Sequence, residues 1–267
     1  QNNSDSLNET KNYASEDGDS IAIIGIACRV PGADNLSEFR TMIYEGDVHI
    51  STLDESEQRL YKAGNHINRW GRLENIDQFD AELFKYSRGA AEITDPQHRA
   101  LLECIWEALE NAGCNIHDNN HIGVFTTSGP STYLYRNIIT NSEIVDRYGD
   151  FQIEIGNDKD FLATKISYKL NLDGPSINVQ TACSSSLLAV HLASQSILRG
   201  ECDIAIAAGV SIHVPQDEGY TYTEGSHMSK SGNCKPFEAA SDGTVFGNGA
   251  GVVILKRFKD ALRYRDH

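Results

Sequence analysis

The segment SYKLNLDGPSINVQTACSSSLLAVHLASQSILRGECDIAIAAGVS (167–211) holds a strand, a helix and a second strand in immediate succession. Asn171 closes a helical stretch near 158–170. SINVQTA (176–182) has the β-branched, apolar composition of a strand. From Cys183 or Ser184 to Leu198, residues Leu187, Leu188, His191, Leu192 and Ile197 fall on a broadly consistent helical face, and Gly200 stops the run. DIAIAAGVS (203–211) is continuously apolar, which is how a strand buried on both faces reads.

The flanking sequence continues the alternation. IAIIGIA (21–27) reads as a buried strand, 34–43 as a short helix, and 44–92 as an irregular excursion. A helix is expected over 96–112: Asp95 suits the N-cap, Pro96 the first helical position and Gly113 the stop, with Leu101, Leu102, Ile105, Ala108, Leu109 and Ala112 at helical spacing. IGVFTT (122–127) is the next strand, 128–160 is mixed and partly helical, and 212–242 is a long loop region with some helix. AGVVILKR (250–257) is the last strand, and a helix begins over 258–264. The order βαβαβαββ predicts a layered α/β protein with helices covering a largely parallel sheet. Residues 1–19 are polar and acidic and read as a disordered tail or linker, so 20–267 is the folded unit.

Composition excludes several classes. The 267 residues carry 23 Lys and Arg against 38 Asp and Glu, a formal net charge of −15. Such a chain repels phosphate backbones and anionic lipid, so neither nucleic acid nor a membrane is an expected partner. No apolar run reaches a membrane span, and the N-terminus has neither the basic nor the apolar region of a signal peptide. The six cysteines, Cys28, Cys104, Cys114, Cys183, Cys202 and Cys234, form no CxxC pair and no zinc spacing with histidine. They read as free thiols of a reducing cytoplasm, with no metal site expected.

Cys183 has the strongest chemical setting. A buried strand runs into a helix whose first residues are Cys and small Ser. A thiol at a helix N-terminus meets the positive end of the macrodipole and several unpaired N–H groups, which favour the thiolate and can stabilise an oxyanion. Thr181, Ala182 and Ser184 to Ser186 shape the turn and let a substrate approach. None of the nine histidines stands ready to assist. His191 lies eight residues beyond Cys183, about 12 Å along the helix, and reads as packing. His98, His213 and His227 read as structural. Gly247-Asn248-Gly249-Ala250-Gly251 leads into a strand rather than a helix, so it reads as a tight turn and not a dinucleotide loop. Tyr133, Tyr135, Tyr220 and Tyr222 are candidates for a tunnel wall or for packing. The basic cluster Lys256, Arg257, Lys259, Arg263 and Arg265 is a solvated helix face or a contact for an acidic protein.

The string TACSSSL resembles the active-site signature of β-ketoacyl synthases, and the resemblance extends over about 20–266. SIAIIGIACRVPGA (20–33) is similar to the opening strand of a ketosynthase of a modular polyketide synthase. ITDPQHRALLECIWEALENAG (93–113) is similar to that family's DPQ-type helix, and SKSGNCKPFEAASDGTVFGNGAGVVILKR (229–257) to its late loop and strand. The resemblance implies a thiolase-like fold, a layered αβα with a mixed sheet, of which this chain is the N-terminal βαβαβαββ half. It implies Cys183 as catalytic nucleophile, with Thr181, Ala182 and Ser184 at the substrate. It further implies acyl transfer onto Cys183 and decarboxylative Claisen condensation with a malonyl-type extender. No cofactor is held directly; an acyl carrier protein brings the phosphopantetheine arm. A homodimer through 176–182 and a cytoplasmic setting are also implied.

Three positions depart from the family pattern. Gln180 stands where Asp is usual, Asn248 where Glu is usual, and Thr164-Lys165 where Asn-Arg is common. The family's two catalytic histidines, in segments like HGTGT and NIGH, have no counterpart here. The expectation is a C-terminal half supplied by a second chain or a missing segment. The alternative is a non-elongating acyl-transfer or structural subunit, which the two amides favour.

Overall fold

The computed structural model describes residues 20–53, 64–116 and 121–266. The expected tail at 1–19 lies outside the described residues. In chain order the elements are β1 (Ile21–Arg29), α1 (Leu36–Glu45), the short strands β2 (Ser51–Thr52), β3 (His66–Ile67) and β4 (Arg69–Trp70), α2 (Arg88–Glu92), α3 (Pro96–Asn111), β5 (Ile122–Ser128), α4 (Ser142–Tyr148), α5 (Asp150–Asn157), α6 (Leu162–Leu170), β6 (Ser176–Asn178), α7 (Ser185–Arg199), β7 (Ile204–Ser211), β8 (Tyr220–Thr221), β9 (Gly249–Arg257) and α8 (Phe258–Tyr264).

The main sheet has the order β1-β9-β7-β5-β6. It is mixed rather than largely parallel: β5 pairs in parallel with β6 and β7, whereas β9 runs antiparallel to both β7 and β1. The physical reason is the connection preceding β9. No helix crosses back over the sheet among the described residues of 212–248, so the chain re-enters from the end at which β7 left it. The helix expected within 212–242 is absent there, and only β8 interrupts the loop.

Alternation along β7 separates two cores. Ile204, Ile206, Ala208 and Val210 join α3 and α6 in the larger cluster, which includes Leu101, Ile105, Ala108, Leu162 and Ile166. Ala205 and Ala207 face the other way, toward Ala189, Ala193 and Ile197 of α7. The result is an αβα sandwich. Small residues on both sides set α7 close to the sheet: a Cβ built on Gly209 would stand 3.2 Å from Ser186 Cβ and 3.1 Å from Thr127 Cγ2. On the opposite face a Cβ at Gly25 would stand 2.5 Å from the Ala108 carbonyl oxygen, so only glycine lets α3 lie on β1.

Helix termini follow the local signals. The Asp95 carboxylate accepts from the Gln97 N–H at 2.8 Å ahead of Pro96. Asn171 and Gly200 take the left-handed conformation that ends α6 and α7, with φ of 54° and 73°. The strand expected over 176–182 stops at Asn178. Val179 still donates its N–H to the Thr126 carbonyl at 2.8 Å. From Gln180 onward side chains replace the ladder: the Gln180 amide donates to the Ser128 carbonyl at 3.3 Å, and the Thr181 N–H turns to Ser185 Oγ at 2.7 Å.

Candidate active site

Cys183 does not open α7. It lies within a 3₁₀ turn over Ala182–Ser184, and α7 starts at Ser185. Ala182 holds φ at +55°, a conformation costly for a residue with a Cβ. This places a sharp reversal between the end of β6 and the helix. Thr181, Ala182, Cys183 and Ser184 are all exposed, whereas Ser185 is buried. Cys183 therefore sits two residues ahead of the first residue of α7, a helix with no side-chain cap on its N-cap residue Ser184.

Serine hydroxyls close the turn. Ser184 Oγ donates to the Thr181 carbonyl at 2.9 Å and lies 3.0 Å from Thr181 Oγ1. Ser185 Oγ accepts from the Thr181 N–H at 2.7 Å and donates to the Ala182 carbonyl at 2.7 Å. Thr181, Ala182 and Ser184 are therefore brought together around Cys183.

The other thiols are not equivalent. Cys28, Cys104 and Cys202 are buried. Burial pushes the Cys104 thiol up to about 12 and raises those of Cys28 and Cys202. Cys234 is exposed, and its sulfur accepts from the Val245 N–H at 3.1 Å.

The two amide departures are explained by donors that a carboxylate lacks. The Gln180 Nε2 group donates to Asn178 Oδ1 at 2.9 Å as well as to Ser128. Asn248 is 3% exposed and uses both ends. Its Nδ2 donates to Gln216 Oε1 at 2.6 Å and to the His213 carbonyl at 3.2 Å. Its Oδ1 accepts from the His213 N–H at 2.9 Å and from Trp70 Nε1 at 3.3 Å. Gln216 in turn bonds the Leu73 N–H and carbonyl at 2.8 and 2.9 Å, tying the excursion before α2 to the loop after β7.

Sequence reasoning missed a second hub, Gln97. Its Oε1 accepts from the Gly129 and Ile212 N–H groups at 3.0 and 3.3 Å, and its Nε2 donates to Asp95 Oδ2 at 3.1 Å. It thereby fixes the chain just beyond β5 and β7. The one signal in the sequence was an amide beside the N-cap in Asp95-Pro96-Gln97. Next to it, His98 is fully enclosed and held neutral, its imidazole pushed well below its usual range by burial and by Lys165. Lys165 Nζ lies 3.5 Å from His98 Nδ1 and donates to the Ile155 carbonyl; burial lowers it to about 8.

His191, expected to pack, is exposed on α7; His213 is half-buried and His227 exposed. The tyrosines divide. Tyr133 donates to the Glu92 carbonyl at 2.7 Å and Tyr220 to the Ser229 carbonyl at 2.6 Å, whereas Tyr135 is 61% exposed. The basic cluster is partly structural: Lys256 pairs with Asp266 at 2.7 Å, and Arg257 donates to the Ile197 and Leu198 carbonyls at the end of α7. Lys259, Arg263 and Arg265 remain at the surface. The tight turn expected over Gly247–Gly251 is not formed: Gly249, Ala250 and Gly251 already belong to β9, where they pair with Ser211, Val210 and Gly209 of β7.

The mixed five-stranded sheet with helices on both faces, and a turn carrying an exposed cysteine ahead of a helix, has the architecture of the thiolase-like fold. Residues 18–261 match the family model described as "Beta-ketoacyl synthase, N-terminal domain", and the chain belongs to that family. It is 45% identical over 258 residues to a component of the phenolphthiocerol/phthiocerol polyketide synthase of Mycobacterium tuberculosis, covering 91% of this chain and 17% of that protein. It is 36% identical over 256 residues to the 3-methylorcinaldehyde synthase of a Phoma species, covering 91% of this chain and 9% of that protein. Ketosynthase twelve of the bacillaene polyketide synthase of Bacillus amyloliquefaciens superposes with a TM-score of 0.84 at 31% identity, covering 94% of this chain and 43% of the solved one. The ketosynthase of module 1 of the same organism's bacillaene synthase gives a TM-score of 0.80 at 33% identity, covering 93% of this chain and 44% of the solved one. The chain thus spans under half of the solved ketosynthases and under a fifth of these curated relatives. Among the described residues no helix is long and apolar enough to cross a membrane.

Proposed function

We propose that residues 20–267 are the N-terminal half of a polyketide-synthase ketosynthase and that Cys183 is its nucleophile. The observation that carries this reading is the exposed thiol in the Ala182–Ser184 turn, ahead of α7 and within a chain of this family. The Cys183 thiolate attacks the carbonyl of an acyl-phosphopantetheine thioester presented by an acyl carrier protein. The tetrahedral oxyanion collapses, the phosphopantetheine sulfur leaves as a thiolate that takes up a proton from water, and the acyl group remains as a thioester on Sγ. The Cys183 N–H is one oxyanion donor. Decarboxylation of a malonyl-type extender then yields an enolate that attacks the acyl-cysteine, forming the new C–C bond and releasing the thiol. The proton-handling histidines for that step come from a complementary C-terminal half.

The open side of the sandwich supports such a partner half. On the α7 side Ile23 and Ile26 of β1 are 54% and 36% exposed, Leu187 is 75% exposed, and His191 is exposed. A cytoplasmic setting and a homodimer along β6 complete the proposal. β6 is a sheet edge whose Ile177 is 44% exposed, whereas Val179 just beyond it is buried in this chain's own core. The non-elongating alternative predicts acyl-Cys183 without an elongated product even when both halves are present.

The test is the mass of carrier-bound product with an acyl donor and a malonyl-loaded carrier protein. The chain alone is expected to form no elongated product, and addition of the C-terminal half is expected to restore condensation. Elongation by the chain alone, or none with both halves present, contradicts the proposal.

A further inference from the structure

We propose that Ser185 is a positioning residue for Cys183, and that its buried hydroxyl holds Ala182 in the left-handed conformation that presents the thiol. Three serines follow Cys183, and they are not equivalent. Ser184 is exposed, and its Oγ reaches only Thr181. Ser186 packs its Cβ toward Gly209. Ser185, 3% exposed, spans the reversal: it accepts from the Thr181 N–H on one side of Ala182 and donates to the Ala182 carbonyl on the other, both at 2.7 Å. The same carbonyl also accepts the Ser185 N–H, so residue 185 grips the turn twice. Ala182 at φ +55° has no intrinsic preference for that conformation and reverts to a right-handed or extended one unless held. With the clamp gone, the turn that presents the thiol ahead of α7 relaxes.

This inference rests on Cys183 being the nucleophile, and the two fail differently. The readout is the alkylation rate of Cys183 by iodoacetamide at pH 7.5, relative to exposed Cys234 in the same molecule, by peptide mapping alongside thermal melting. In the wild type, labelling of Cys183 no faster than Cys234 overturns the nucleophile reading before Ser185 is tested. Given preferential labelling, Ser185→Ala is expected to lower the ratio about tenfold, while Ser184→Ala changes it less than about threefold. The decisive variant is Ala182→Gly in the Ser185→Ala background. Glycine adopts positive φ without a clamp, so the ratio is expected to return to within about threefold of wild type. A merely packing role for Ser185 would not be rescued from residue 182. An unchanged ratio in Ser185→Ala, or no recovery in the double variant, overturns the proposal. If Ser185→Ala alone fails to melt cooperatively, the double variant decides: it folds and labels as stated, or the proposal is wrong.

Discussion

Helices α3 and α7 lie on opposite faces of one sheet and are nearly equal in length, 16 and 15 residues. Their first turns differ in every respect that matters. α3 starts from a side-chain cap, Asp95, followed by Pro96, and buries Pro96, Gln97 and His98. α7 has no side-chain cap on its own first turn, follows a residue at φ +55°, and leaves Thr181 to Ser184 exposed. Farther along, α3 buries Leu101, Leu102, Cys104, Ile105, Ala108 and Leu109, whereas α7 rests on the sheet through Ala189, Ala193 and Ile197 and shows Leu187 to solvent. One face is closed and supplies stability; the other is strained and open, and carries the thiol. Buried cysteine on α3 is accordingly inert, its thiol pushed up to about 12 at Cys104.

The sharpest way to break this contrast is to truncate each helix. Ile105→Ala removes a fully buried side chain from α3 and is expected to cost about 2–5 kcal/mol in urea unfolding. Leu187→Ala on α7 is expected to change stability by less than about 0.5 kcal/mol and to weaken capture of the C-terminal half in a pull-down. Equal costs at the two positions would erase the distinction between the faces.

A smaller effect is expected at Asn248. Replacing it by Glu, the residue usual in the family, removes both Nδ2 donors and sets a carboxylate beside the Gln216 and His213 oxygens. A loss of about 2 kcal/mol is expected in the same unfolding assay. A neutral or stabilising result would show that the amide is not required by this network.

A pH dependence is expected behind α3. Burial lowers Lys165 from 10.5 to about 8, so the folded chain binds fewer protons than the unfolded one between those values. The cost of burying the ammonium is full below about pH 8 and declines as pH rises toward 10, so wild-type stability gains over that window. Lys165→Met is expected to lack that increment, and parallel pH–stability curves for the two proteins would refute it.

The sequence made the closed face legible and the open one only in part. Asp95, Pro96 and the leucine spacing define α3 within one residue, because a capped, amphipathic helix is specified locally. The end of β6 was not legible. Residues 179–182 have strand composition, and they are diverted by the Gln180 bond to the distant Ser128 carbonyl and by the local bonds of Ser184 and Ser185 to Thr181. Nor could spacing show that the sheet is mixed, since the direction of β9 is set by the long loop before it. TACSSS marked the thiol, but which serine holds the turn depends on burial.

The most direct test of the open face as the site of acyl transfer is the location of the acyl group after incubation with an acyl-phosphopantetheine thioester, read by peptide mass mapping of this chain. The adduct is expected on the peptide containing Cys183 and is expected to vanish in Cys183→Ala. An adduct on Cys234, or one that persists in Cys183→Ala, would contradict the assignment.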